Sequence, residues 1–433
     1  MASANRLLGK TNRYWKQLGA RPDLLVYLAS MFVATGSGFL RTAILSRIMT
    51  PMLFGQYSLS LMMTTLGTAI ATFGFTDTMY MEVPRLLGLD RNQDAVATRN
   101  RILSSSFVIA AALGVLSTAI LLACSRWSQT SGAISLTGIL LITMVPFNLF
   151  VMDLRCRTLL PEAGKVLMLK SVTSLVLGCV GATLIGVPGA IAGESVGTTI
   201  ACIYLLMRYS KDYRFVLPRL NQSLSTVRMG APFSVSTLLQ NFSFTIGNWF
   251  LLFVYGAAAL GQYAFAMVVY IIGVSAIDIM GQYFGPRLLS AHSRHRSMHL
   301  TQQRVHRLVG LVALLFAIVA LPFYLGFRFV VQRYYPHYLE SLSIMPFVYG
   351  GTMFSAMMNF YDVPFYADSA GGGLLNLNLG VLAGLAIIYA ALTVVKPPLY
   401  MFGAVFCFGR LVMLLGKAIM ARRLMERTQS VTG

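Results

Sequence analysis

A helix needs about 20 residues to cross a hydrocarbon core about 30 Å thick, and apolar runs of that length recur throughout this chain. Bounded by charges, Pro or Gly, they fall at about 24–48, 53–77, 102–124, 133–155, 166–187 and 189–208, and then at about 229–254, 260–284, 306–327, 339–363, 374–395 and 399–420. They are not the alternating segments of about 10 residues that build outer-membrane barrels. Of the 433 residues 56% are hydrophobic and only 11% charged, against about a quarter charged in soluble proteins. The expected fold is an all-α polytopic membrane protein with about 12 transmembrane helices.

A net charge of +20 would point to nucleic acid in a soluble chain, so the position of the charge decides. On alternate sides of the runs, 28 of the 34 Lys and Arg fall on one side: in residues 1–21, 85–101, 155–170, 208–228, 287–307 and 410–427. The other side holds Arg47, Arg126, Arg328, Arg333 and Lys396, while Arg41 lies inside a run. Positive charge collects in cytoplasmic loops, which places both termini in the cytoplasm and leaves no role for nucleic acid. The first 21 residues are basic and lack an apolar h-region, so they read as a cytoplasmic leader and not as a cleaved signal peptide.

The runs also repeat. FGQYSLS at 54–60 returns as LGQYAFA at 260–266, PRLL at 84–87 returns at 286–289, VPF at 145–147 returns as MPF at 345–347, and Gly189-Ala190-Ile191 is echoed by Gly403-Ala404-Val405. Four ordered matches at offsets of 200 to 214 make the chain two six-span halves of the same orientation, related by a pseudo-two-fold along the membrane normal. The expected organisation is a basic leader (1–21), an N-terminal six-helix bundle (22–210), a cytoplasmic linker (211–228), a C-terminal six-helix bundle (229–420) and a cytoplasmic tail (421–433), with a central cavity between the bundles.

In the seventh run Ser234, Thr237, Asn241, Thr245 and Asn248 recur at spacings of 3, 4, 4 and 3, which puts them on one helix face about 21 Å long. At the repeat offset of 206, Thr35 and Thr42 correspond to Asn241 and Asn248, and Ser46 extends this related stripe. Matching polar faces on the two halves suggest a shared cavity; the alternative is hydrogen bonding between packed helices. The tenth run repeats the pattern with Thr352, Ser355, Asn359, Asp362 and Tyr366. Asp362 reads equally as a cavity carboxylate or as an interfacial charge.

Arg41 lies on a neighbouring face with Ser30 and Ser37, and its repeat equivalent is Gly247. An arginine inside a spanning helix costs roughly 2.5–3.5 kcal/mol on insertion scales, and a permanent, fork-shaped cation is best matched by a phosphate or a carboxylate. A substrate diphosphate is one candidate partner, and an intramembrane carboxylate such as Asp278 is the other. Asp278, within SAIDIMGQY, is deep enough to carry a coupling proton, because desolvation raises a carboxyl pKa. Glu194 and Asp153 lie nearer the run ends, and Asp77 and Arg47 read as interface anchors.

Four histidines at 292, 295, 299 and 306 are interleaved with Arg294, Arg296 and Arg304, which repel a cation. Neither a metal nor a cofactor is expected, and this basic loop is suited to anionic lipid headgroups. Cys124, Cys156, Cys179, Cys202 and Cys407 are scattered without paired spacing and read as small apolar packers. Gly371-Gly372-Gly373 reads as a turn. No Walker-type loop, GxSxG or paired-carboxylate site stands out, and the longest loop opposite the basic side is Arg328 to Leu339. No extramembrane catalytic domain fits there, so an enzyme is not expected.

The stretch LRTAILSRIMTPMLFGQYSLSLMMTTLGTAIATFGF resembles the opening signature of the polysaccharide-biosynthesis flippases, the oligosaccharide-lipid branch of the superfamily that includes the multidrug and toxin extrusion exporters. GFLRTAILSRI is also similar to the first span of lipid II flippases, where an arginine matching Arg41 lines the cavity. Thr35 stands where those proteins carry a second cavity arginine, and Thr42 where they carry an aspartate; they also have fourteen spans.

The resemblance implies movement of an undecaprenyl-diphosphate-linked oligosaccharide across the bacterial inner membrane by alternating access, for export of a surface polysaccharide. The substrate contacts would be Arg41, Thr35, Thr42, Asn241, Thr245, Asn248, Asn359 and Asp362, with Asp278 for ion coupling. The partners implied are the lipid-linked oligosaccharide, a proton or sodium ion, membrane lipids and polysaccharide polymerase machinery. A multidrug or cation exporter of the same superfamily is the nearest rival, although it would favour an acidic cavity. A membrane-embedded glycosyl polymerase or ligase would need a large external loop, and a noncatalytic assembly subunit would not need lined polar faces.

Overall fold

The computed structural model describes residues 22–125, 131–209, 213–217, 220–295, 298–367 and 371–432. Among the described residues the regular elements are helices: α1 (Pro22–Ile48), α2 (Pro51–Ala71), α3 (Phe75–Gly88), α4 (Asn92–Ser125), α5 (Ser131–Cys156), α6 (Leu160–Ile185), α7 (Val187–Tyr209), α8 (Leu220–His295), α9 (Met298–Tyr334), α10 (Ser341–Phe360), α11 (Asp362–Ala367), α12 (Gly371–Val395) and α13 (Tyr400–Thr432), with a 3-10 turn at Pro336–Tyr338.

These helices reproduce the twelve runs. Eight of them carry one apolar stretch each that is long enough to span, from Leu25–Ile48 in α1 to Tyr400–Leu424 in α13. The 48-residue apolar stretch Leu224–Ile271 of α8 holds two runs, because the chain turns at Gly256, where φ is 81° and ψ −176°. A side chain rarely adopts that backbone, so glycine is what permits the turn. α2 and α3 share one run, bent by 56°, and α10 supplies the last. The tenth run is shorter than expected: α10 stops at Phe360 and Asp362 opens α11. Gly371–Gly373, expected as a turn, instead form the first turn of α12, anchored by the buried Leu374 that follows.

The first half, α1 to α7, is built on the α6–α7 hairpin, against which α1 and α5 pack. A seam of small residues brings the two backbones together. A Cβ on Gly181 would fall 2.1 Å from the Gly189 carbonyl oxygen, and one on Gly189 would fall 1.9 Å from that of Gly181. Close backbone approach of this kind replaces the hydrophobic driving force that helices lose in lipid. In the second half α10 packs on α13, and α10 and α12 pack on α8.

The halves meet along α2 and α3 against α8. At the end opposite the basic side, which we call the outer face, the contact is made by the sequence repeat itself. A Cβ on Gly55 would meet the Ala257 carbonyl oxygen at 2.2 Å, and one on Gly261 would meet that of Pro51 at 2.1 Å. Pro51 and Ala257, like Gly55 and Gly261, are 206 positions apart, so the two copies of the motif touch through a self-complementary patch. An apolar cluster including Phe54, Tyr57, Phe265 and Tyr338 closes over it. Towards the basic face, the break between α2 and α3 donates Gly74 N–H to Ser234 Oγ at 2.7 Å, and Thr78 Oγ1 donates to the Thr226 carbonyl at 2.9 Å.

The glycine seam has a direct test. Gly181→Val has no room and is expected to destabilise the protein by about 1–3 kcal/mol, seen as a lowered thermal unfolding midpoint in detergent. Gly36→Ala, where nothing lies within 4 Å of the added Cβ, is expected to leave the midpoint unchanged.

Candidate functional site

Arg41 enters the interior of the first half. Its Nη1 lies 2.9 Å from Glu194 Oε1, with side-chain exposures of 15% and 4%. The Arg41 stem passes over Gly178, where a Cβ would sit 3.6 Å from Arg41 Cδ. Tyr57 Oη donates to Glu194 Oε2 at 3.3 Å. Arg41 and Glu194 each lie seven residues from the outer end of their helix, or about 10 Å at 1.5 Å per residue. Lys170 of α6 approaches the same carboxylate from deeper in the bundle; its ammonium contacts Met144 Sδ at 3.3 Å and lies 5.2 Å from the Phe147 ring centroid. Glu194 thus pairs with Arg41 and feels the charge of Lys170 from further off.

Among the described residues the carboxylate that pairs with Arg41 is Glu194. The α7 helix begins at Val187, which makes Glu194 two turns deep instead of terminal. Asp278 belongs to α8, and its side chain lies outside the described residues, so the structure says nothing of its surroundings.

The second half holds a different set. Lys417 of α13, 1% exposed, pairs with Asp362 Oδ1 at 2.6 Å and donates to Gln240 Oε1 at 3.2 Å. Arg410, 3% exposed, lies 5.2 Å from the Phe244 ring centroid and 5.3 Å from that of Phe406, and pairs with no carboxylate among the described residues. Lys170, Arg410 and Lys417 belong by position to the basic side in a count of loops. The structure places all three inside the bundles instead, because apolar residues on both sides carry the helices past them.

Asp77, expected as an interface anchor, joins the halves. It accepts from Ser234 Oγ and from Tyr366 Oη at 3.0 Å. The Tyr366 ring stacks on Phe233 with centroids 4.6 Å apart.

Between the halves a cavity of about 1420 Å³ separates α1 from the second limb of α8 and from α9. Its walls are apolar, including Phe32, Phe39, Phe265, Val268 and Phe327, and it runs from Leu28 to Arg47 along α1. That length is about 28 Å, close to the thickness of a hydrocarbon core. Arg47, Tyr334 and Tyr335 lie at its outer end, and Tyr335 Oη donates to the Ala43 carbonyl at 3.1 Å.

The expected site residues do not form one lining in this structure. Thr35 and Thr42 face the groove, and the Thr42 hydroxyl is returned to the Gly38 carbonyl of its own helix at 3.0 Å. Thr245 is buried, with its hydroxyl on the Asn241 carbonyl at 3.0 Å. Asn248 donates to Met62 Sδ at 3.4 Å, and its Oδ1 is buried without a hydrogen-bond partner. Asn241 and Asn359 are half-buried, and Asp362 is held by Lys417. Lys170, Lys417 and Arg410 were missed from the sequence, Glu194 was set too near its run end, and the groove lies between the halves where a cavity was expected, lined by Thr35 and Thr42 but with an apolar wall that was not foreseen. The signal for two of the basic residues was there, since Arg410 and Lys417 have a turn of apolar residues or glycine on each side, whereas Lys170 is followed by Ser171, Thr173 and Ser174.

The comparisons with known proteins agree with this architecture. An outward-facing multidrug resistance MATE family transporter of the MOP superfamily superposes with a TM-score of 0.68 at 16% identity, covering 94% of this chain and 96% of that one. A mutant of a Vibrio cholerae MATE transporter gives 0.67 at 14% identity, covering 94% and 97%. A MOP superfamily transporter from Pyrococcus furiosus, described as having a binding pocket of reversed polarity, gives 0.64 at 15% identity, covering 93% and 95%. No curated protein matches the chain. The family model for polysaccharide biosynthesis proteins matches residues 22–292, well over half of the sequence. The chain belongs to the polysaccharide biosynthesis protein family, a multi-pass membrane protein whose helices share the fold of the MATE transporters.

Proposed function

We propose that the protein is a flippase that carries an undecaprenyl-diphosphate-linked oligosaccharide across the bacterial inner membrane by alternating access, with its basic face in the cytoplasm, for export of a surface polysaccharide. The groove is the observation that carries this reading. A membrane-deep apolar channel between the halves, ending in Arg47 and two tyrosines, has the chemistry of a long hydrocarbon tail with an anionic head. A small soluble substrate would need neither the length nor the apolar wall.

Charge supports the same reading. Arg41 pairs with Glu194, Lys170 lies further from the same carboxylate, and Arg410 has none among the described residues, so the bundles carry surplus positive charge suited to a diphosphate. A cation exporter, the nearest rival, needs the opposite balance. In the other inward- or outward-open state, Arg41 would exchange Glu194 for phosphate, while Thr35, Thr42, Asn241, Thr245, Asn248, Asn359 and Asp362 would serve the sugar hydroxyls. Asp278 is the candidate for ion coupling, with a proton or sodium as the ion. Membrane lipids and the polymerase that consumes the exported unit are the remaining proposed partners.

Two measurements test this proposal. Gly326 lines the groove with nothing within 4 Å of an added Cβ, so Gly326→Trp fills the channel without disturbing packing. It is expected to slow transfer of a polyprenyl-diphosphate saccharide in reconstituted vesicles at least tenfold, with an unchanged unfolding midpoint; undiminished transfer would show that the tail does not use the groove. Arg41→Ala, at matched membrane expression, is expected to abolish polymer output in cells. Matching expression controls for the stability lost when one member of a buried pair is removed, and normal output from that variant would remove Arg41 from substrate handling.

A further inference from the structure

A separate cavity of about 490 Å³ lies on the basic face of the first half, and Arg99, Asn100, Arg157 and Arg214 line it. It shares no residue with the groove. Arg99 and Asn100 are 6% and 7% exposed. Beneath them, the fully buried Asp153 lies 3.7 Å from Arg99 Nε and 3.5 Å from Arg157 Nη1. Its other contact is with Tyr213 Oη, which donates to Asp153 Oδ2 at 2.9 Å. Asp153 lies against both arginines, and among the described residues no acidic side chain lines the cavity.

The third arginine is set in place by the chain that follows α7. Tyr213 packs its ring on Phe150 with centroids 4.9 Å apart, and Arg99 lies 5.3 Å from the Tyr213 centroid. Burial and the adjacent Asp153 push the Tyr213 phenol well above its ordinary pKa, so it stays a donor. Val216 N–H donates to Ser104 Oγ at 3.0 Å. Between these two anchors Arg214 sits exposed at the lip of the cavity. Arg214 thus adds a third guanidinium to the cavity wall beside Arg99 and Arg157.

We propose that this cavity binds a phosphate-bearing anion on the basic face. Planar guanidinium forks held in fixed positions match phosphate oxygens bidentately, and the Asn100 amide adds a donor. The opposite wall is apolar, formed by Val83, Leu87 and Val96, so the anion is either the headgroup of an anionic phospholipid in the adjoining leaflet or a soluble phosphorylated compound. The site stands on its own geometry and does not depend on what the protein transports.

The test uses the full chain in phosphatidylcholine nanodiscs titrated calorimetrically with pyrophosphate, together with native mass spectrometry of detergent-purified protein supplied with phosphatidylglycerol. Saturable pyrophosphate binding identifies a soluble source, and retained phosphatidylglycerol without pyrophosphate binding identifies the lipid. Two variants report on the site: Val96→Asp, at a side chain 45% exposed, and Arg214→Gln at the lip. Each is expected to weaken the retained probe about tenfold or more, as loss or reversal of a charge-assisted contact requires. Absence of binding by both probes, or binding unaffected by both variants, overturns the proposal.

Discussion

The pairing of Arg41 with Glu194 is the constraint on which the first half depends. Moving either ion into a low-dielectric interior alone is prohibitive, and removing one member of a buried pair typically costs about 3–5 kcal/mol. The α6–α7 hairpin must therefore come close enough to α1 for a guanidinium to reach across α6 to α7. The small residues make that possible: Gly181 and Gly189 bring the hairpin backbones into contact, and Gly178 leaves space for the arginine stem. Lys170 then converts a neutral pair into a cluster with net positive charge, so the interior holds an anionic ligand's complement before any ligand arrives.

This charge belongs to one half alone. At the Arg41 equivalent, Gly247, the available space is taken by Tyr389, whose hydroxyl would lie 2.7 Å from a Cβ placed there. The two lateral gaps between the halves are equally unlike. Thr42 and Val268 face each other across an open groove, whereas their repeat equivalents, Asn248 and Met62, are in contact at 3.4 Å. Only at the outer seam, where Gly55 and Gly261 interlock, does the structure keep the symmetry of the sequence. A duplicated scaffold has thus become a protein with one open lateral side and a different set of buried charges in each half.

Much of this was legible in the sequence. The length of the apolar runs fixes the number of spans, because a helix has only one way to cross 30 Å of hydrocarbon, and the return of FGQY as LGQY marks the place where the halves touch. Arg41 announces itself by its cost. Its partner does not, since Glu194 is 153 positions away and its depth depends on a helix start that a two-residue error hides. The polar stripe of α8 misleads for a related reason: a threonine such as Thr245 can return its hydroxyl to its own helix, so equal spacing says nothing about which members face a cavity. The Thr35 and Thr42 stripe marked one wall of the groove, but its apolar wall left no trace, because Phe39 or Val319 facing a cavity is indistinguishable in sequence from the same residue facing bulk lipid.

The groove, the buried cations and the family together support the proposal that the head of a lipid passes between the two bundles while its tail stays in the membrane. The most direct measurement is photo-labelling with a polyprenyl-diphosphate saccharide that carries a diazirine in its tail, followed by mapping of the modified peptides. The account predicts labels confined to Leu28–Arg47 of α1 and Val319–Tyr335 around α9, displaced by unlabelled substrate. Labels spread evenly over the lipid-facing helices, or insensitive to competition, would contradict it.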